Sequence, residues 1–130
     1  MNNIQIYENI SYIILNPEDI RAYVIEIAKE EWGKEDFIIY NDDLYKSSWV
    51  LKQVDMGKIK LNKEKLATTI FQEDLRPRIQ NQIELYQKNI AIPPLILRGE
   101  DFLIFDGYAR YHFLKQLGVK TCLAYVGHIH

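Results

Sequence analysis

Cysteine occurs once in these 130 residues, at Cys122, so the chain cannot close an internal disulfide. A reducing compartment is expected, and with it a cytoplasmic location. No apolar run is long enough to cross a bilayer. The opening Met1-Asn2-Asn3-Ile4 lacks the basic and apolar regions of a secretory leader. Positive charge is scarce too: 16 Lys and Arg stand against 18 Asp and Glu, for a net charge of −2. That excludes a global basic field for nucleic acid or an anionic membrane, and leaves room only for a local basic patch. Cys-x-x-Cys, His-Glu-x-x-His and Walker loops are missing, and no local signature assembles a Ser-His-Asp triad. Low-complexity stretches and internal repeats are missing as well.

What is present reads as an ordinary globular chain, 48% hydrophobic and 26% charged. The length suits a single domain over 1–130 that buries a core without staples. Strand character appears at Ile10–Leu15, Phe37–Tyr40, Trp49–Val54, Leu95–Leu97, Phe102–Phe105 and Thr121–Val126. Asn16-Pro17-Glu18-Asp19 reads as a helix start, with Ile20, Val24, Ile27 and Ala28 at helical spacing and a stop at Gly33. Asn62 is expected to cap a helix carrying Leu66 and Ile70. Pro77 is expected to open another, carrying Ile79, Ile83 and Tyr86. A last helix runs from about Tyr108 to Leu117, closed by Gly118. The class is α+β: a mixed sheet with packed helices, residues 49–130 as the core and 1–48 as a βαβ-like N-terminal extension.

Phe105-Asp106-Gly107-Tyr108-Ala109-Arg110 joins a strand to a helix through a glycine. A helix start presents unpaired N–H groups and partial positive charge. Gly107 lets the backbone approach a ligand closely, and Arg110 adds a fork of donors in the first turn. Together they would hold a phosphate or carboxylate. A plainer reading stands beside this one. Asp-Gly is a common turn, Asp106 can cap the helix, and Arg110 can sit in solvent.

Four further segments run in a suggestive order. They are Val54-Asp55 with Ile59, Arg76-Pro77-Arg78, Pro94-Leu95-Ile96-Leu97-Arg98, and Leu117-Gly118-Val119 after the Gly107–Arg110 turn. With that turn they make residues 49–126 resemble the ParB/sulfiredoxin superfamily. The resemblance implies a phosphate- or nucleotide-binding role for Asp106, Gly107, Tyr108, Ala109 and Arg110. It also implies that Arg78 and Arg98, with Arg76, are brought towards the same anion; scattered surface arginines are the alternative. CTP, ATP or ADP with Mg²⁺ are the ligands implied, and no metal site of the protein's own is expected.

The variants within that superfamily narrow the expectation. Sulfiredoxins carry a nucleophilic cysteine where this chain has Tyr108, and a phenol does not replace a thiolate. Cys122 falls in a predicted strand and reads as a buried structural thiol. ParB partition proteins carry Gly-Glu-Arg-Arg and continue into DNA-binding regions. Here the acid is lost, His112 stands where a further arginine is expected, and sequence-specific DNA binding is not expected. Free-serine kinases carry Asp-Gly-His-His-Arg, of which Asp106, Gly107 and Arg110 match. Asp55, Glu73, Asp74 and Asp106 are the carboxylates a phosphoryl-transfer enzyme would draw on, and spacing does not choose among them. Catalytic residues therefore stay unassigned. Three functions stand: a regulatory or interaction module that binds a nucleotide or other anionic small molecule, a small-molecule kinase, and a protein-interaction module without ligand. Tyr108 and Tyr111 would either stack on a base or pack against strands. His128 and His130 form an H-x-H pair at the chain's end, read as a frayed tail rather than a metal site.

Overall fold

The computed structural model describes residues 3–63 and 67–129, with side chains for all of these except 31–45, 69–71 and 129. The chain opens with a hairpin of β1 (Asn3–Tyr7) and β2 (Ile10–Ile14). Its two-residue turn holds Glu8 at φ 48° and Asn9 at φ 65°. Paired left-handed residues give the turn a twist that matches the strands. Asparagine tolerates that conformation, but glutamate rarely adopts it. The Glu8 carboxylate is correspondingly anchored: Oε2 accepts from Thr121 N and Thr121 Oγ1, both at 3.0 Å. Tyr7 Oη meets the same threonine hydroxyl at 2.8 Å. The hairpin is thus pinned to the far end of the chain. Periodicity at Ile10–Leu15 finds β2, whereas β1 was not anticipated, because its Asn-Ile-Gln-Ile-Tyr is mostly exposed and builds little of the core.

Helix α1 follows, over Pro17–Lys46. Asn16 starts it through its backbone, accepting from Asp19 N at 2.9 Å, and its side chain makes no cap. Gly33 does not end the helical run and the expected strand at Phe37–Tyr40 does not form, since both are helical. Glycine inside a helix costs only about 1 kcal/mol against alanine, and the flanking Glu, Lys and Asp residues tolerate helix. Yet the run is not a straight rod. At 1.5 Å per residue, a rod would put residues 21 and 47 about 39 Å apart. Arg21 Nη2 instead donates to Ser47 O at 2.9 Å, so the helical run turns back on itself. Gly33 is its single glycine and lies near its middle.

The main sheet contains β3 (Ser47–Asp55), β4 (Leu95–Arg98), β5 (Ile104–Asp106) and β6 (Thr121–Ile129), in the order β3-β6-β4-β5. β3 and β5 pair antiparallel to their neighbours, and β4 pairs parallel to β6, so the sheet is mixed. The second strand expected in the extension, Phe37–Tyr40, is part of α1, so residues up to 46 supply the β1–β2 hairpin and α1, and β3 belongs to the main sheet. β2 and β3 thus belong to different sheets. Alternation along the strands divides the core in two. Ile96, Tyr125 and Trp49 face α1, against Ile20, Val24, Ile25 and Ala28. Leu95, Leu97, Cys122, Ala124 and Val126 face the hairpin and the other helices. Each fully buried Leu, Ile or Val in these layers is worth about 1.5–3 kcal/mol.

Helix α2 spans Thr69–Gln87 and carries Pro77 in its interior rather than at its start. A proline there removes one ladder bond and costs about 3 kcal/mol, so packing must offset it. Leu75 is buried, and Ile79, Ile83 and Leu85 pack against the second core. Leu66, expected on the helix after Asn62, lies outside the described residues. Helix α3 (Tyr108–Gln116) packs on α2, with the Tyr86 and Phe113 rings edge-on at 5.6 Å. Gly118 closes α3 at φ 80°, as expected from its position. The class is α+β, as the sequence implied. Among the described residues, no helix is long and apolar enough to cross a membrane.

Candidate functional site

The β5–α3 turn forms where strand pairing ends. Asp106 is the last strand residue, opposite Ile96, and Gly107 follows as the N-cap of α3. Gly107 sits at φ 109°, a left-handed conformation that residues with a Cβ rarely adopt. Space is the second reason for glycine. A Cβ here would lie 2.6 Å from Leu95 Cδ2, 3.0 Å from Arg110 Nη2 and 3.2 Å from Arg110 Nε. The guanidinium therefore folds back over the glycine, into room a side chain would fill. No side chain caps the helix start.

Arg110 Nη2 donates to Asp106 Oδ2 at 2.8 Å, one helical turn away. The two side chains are only 13% and 11% exposed, so this pair is largely shielded from water. Arg110 Nε is fully buried and has no hydrogen-bond partner. Tyr23, on α1, lies within the field of both charges. Burial raises its phenol pKa most, nearby Arg110 lowers it, and Asp106 raises it. Leu95 closes the turn on the side of the glycine. Tyr108, Ala109 and Tyr111 are buried as well. Tyr108 Oη accepts from Asn62 N at 3.1 Å, and its pKa is raised by burial. Both tyrosines pack in the core, as in the plainer of the two readings.

The remaining arginines are held elsewhere. Arg98 makes a two-pronged pair with Asp101, at 2.9 and 2.6 Å, and also meets Glu100 at 3.5 Å. That pair sits in the β4–β5 connection, at the opposite end of β5 from Gly107. The Arg98 fork holds the Asp101 carboxyl down at about 2, below the usual carboxylate range. Arg78 reaches Asp74 at 3.3 Å on the exposed side of α2. Arg76 lines an open groove with Leu75, Ile79, Ile83 and Gln116, by the far end of α3. Each paired arginine thus answers an acid three or four residues away. That local spacing was readable in the sequence and is the signal that would have separated them.

The candidate carboxylates are also engaged. Asp55 Oδ1 accepts from Gly57 N at 2.8 Å, Asp74 holds Arg78, and Asp106 holds Arg110. Glu73 is exposed on α2. His128 Nε2 lies 3.2 Å from Lys52 Nζ, and His130 is outside the described residues. No group of three or more His, Cys, Asp or Glu is placed to hold a metal among the described residues.

No protein-family model matches the chain, and no curated protein matches it. Solved structures do, among them two of one kind of domain. The chain is similar to the ParB N-domain. The Pnob8-like ParB-N domain is 21% identical with a TM-score of 0.47, over 65% of this chain and 31% of the other. A second structure of the pNOB8-like ParB N-domain is 25% identical with a TM-score of 0.43, over 62% and 28%. The matched part spans less than a third of either solved chain.

Proposed function

We propose that this chain is a ParB-like module that takes one phosphate-bearing group at the start of α3, in competition with the Asp106 carboxylate. The observation that carries this reading is the Arg110 guanidinium. It lies over an uncapped helix start, with one edge on Asp106 and its Nε buried and unpartnered. A helix N-terminus beside an arginine fork favours an oxyanion, and a phosphate oxygen matches that fork as a carboxylate does. Asp106 then acts as an internal stand-in that keeps Arg110 satisfied until an external anion arrives.

Nucleotides such as CTP, ATP or ADP, with Mg²⁺, are the ligand class this reading selects. A regulatory or interaction role is preferred to phosphoryl transfer, because Asp55, Asp74 and Asp106 already have structural partners. A ligand that binds only the folded state raises the melting temperature; at 100 times Kd the gain is about 2.7 kcal/mol. Thermal unfolding with each nucleotide, and with inorganic phosphate, tests the reading. Asp106→Asn removes the competitor and is expected to tighten binding, while Arg110→Lys, which keeps charge but loses the fork, weakens it.

A second reading follows from the burial of the turn. If Asp106 is the permanent partner of Arg110, the domain is an interaction module without ligand. In that case neither the native chain nor Asp106→Asn shifts with any nucleotide.

A further inference from the structure

β1 is an edge strand of the two-stranded sheet. In the hairpin, Tyr7 faces Ile10 across the two-residue turn, so Tyr7, Gln5 and Asn3 direct their N–H and C=O groups at β2. Ile4 and Ile6 then direct theirs outward. The same alternation on β2 can be checked directly. Ser11 and Ile13 are its outward residues, and both bond Ile92: Ile13 N to Ile92 O, and Ile92 N to Ser11 O, each at 2.9 Å. β2 is therefore covered on its outer side, while β1 ends its two-stranded sheet. The side chains of Ile4 and Ile6 are 60% and 71% exposed, the highest values among the exposed large hydrophobic residues. No charge or proline guards Asn3-Ile4-Gln5-Ile6-Tyr7, although natural edges usually carry one.

We infer that β1 is a self-association edge, whose occupant is β1 of a second copy of this chain. The strand is complementary to itself when reversed about Gln5. In that register Ile4 faces the second copy's Ile6, and the two exchange both outward N–H···O=C bonds. The two-fold repeats the exchange at Ile6 and Ile4. Gln5 faces Gln5 across the axis, and Asn3 faces Tyr7. Paired residues share a face, as an antiparallel ladder requires, and no like charges meet. The two exposed isoleucines of each copy close over one another on the outer face. The product is a four-stranded sheet across the two copies, closed by a two-fold axis.

Sedimentation of the intact chain over a concentration series tests this. The expected result is a reversible monomer–dimer equilibrium starting from the 15.4 kDa monomer. Gln5→Lys and Gln5→Glu each place like charges on the axis and are expected to be monomeric. Mixing them in equal amounts restores the dimer as the mixed species. Both keep the β1–β2 ladder, and a native circular-dichroism spectrum with a cooperative melt confirms that they fold. A mass of one chain at every concentration overturns the inference. So does a dimer that survives both substitutions, a mixture that stays monomeric, or association that grows beyond two copies.

Discussion

Arg110 and Asp106 form a nearly buried ion pair whose guanidinium occupies the space where Gly107 lacks a side chain. Removing one partner of such a pair leaves the other charge poorly solvated, which costs about 3–5 kcal/mol when burial is complete. Some exposure remains here, so Arg110→Ala is expected to cost about 2–3 kcal/mol. Asp106→Asn keeps an acceptor and should cost less. In a double-mutant cycle, Asp106→Leu with Arg110→Met should lose clearly less stability than the sum of the singles. Additive losses in denaturant unfolding would mean that the two side chains do not couple.

Gly107→Ala combines a left-handed φ with a Cβ set 2.6 Å from Leu95 Cδ2. Overpacking costs about 1–3 kcal/mol, and the backbone strain adds to it. Adding Leu95→Ala to Gly107→Ala relieves the contact but not the strain. The pair should therefore recover part of what is lost through the clash, while still paying for the cavity at Leu95. A fully tolerated Gly107→Ala in thermal unfolding would show that the turn is not held as described.

Acid should weaken the fold in two separate windows. The His112 imidazole pKa is lowered, first by burial and then by Lys115. The folded state therefore disfavours the proton relative to the unfolded chain. Stability is complete above the unfolded value of about 6.5 and falls as pH drops through the lower folded value. His112→Gln should flatten this decline. Asp101, held at about 2 by Arg98, contributes stability above its ordinary carboxylate pKa and loses it towards pH 2. Asp101→Asn should remove that lower step and leave the upper one.

Cys122 is fully buried, and burial followed by the charge of Glu8 pushes its thiol up to about 12. At neutral pH it should not react with a disulfide reagent in the native state. Thiol labelling should follow the opening of the fold, with a rate that rises with denaturant. Rapid stoichiometric labelling of the native chain would contradict the buried placement of β6.

Much of this fold was legible because the pattern was local. The strand at Thr121–Val126, the glycine that closes α3 and the β5–α3 turn each lie within a few residues of their signals. The failures have physical causes. β1 buries little, so alternation had nothing to report. Gly33 and the aromatic and isoleucine-rich Phe37–Tyr40 stretch suggested a stop and a strand, whereas the residues on both sides of Gly33 are helical. Pro77 looked like a helix start, since its cost inside α2 is offset by contacts with distant residues. For the site, Gly107 and Arg110 were identifiable, and the turn that joins them is there. That Leu95 would floor the glycine depends on a contact between residues distant along the chain. Arg78 and Arg98 were read through the resemblance, while Asp74 and Asp101 beside them already gave each a local partner.

The most direct measurement is nucleotide and phosphate titration of the native chain beside Asp106→Asn and Arg110→Lys, read by thermal unfolding and isothermal calorimetry. The expected result is saturable binding to the native chain, tighter binding to Asp106→Asn, and weaker binding to Arg110→Lys. Folded protein that gives no heat and no melting shift with any of these ligands, in the native chain and in Asp106→Asn alike, would contradict an anion site at the start of α3.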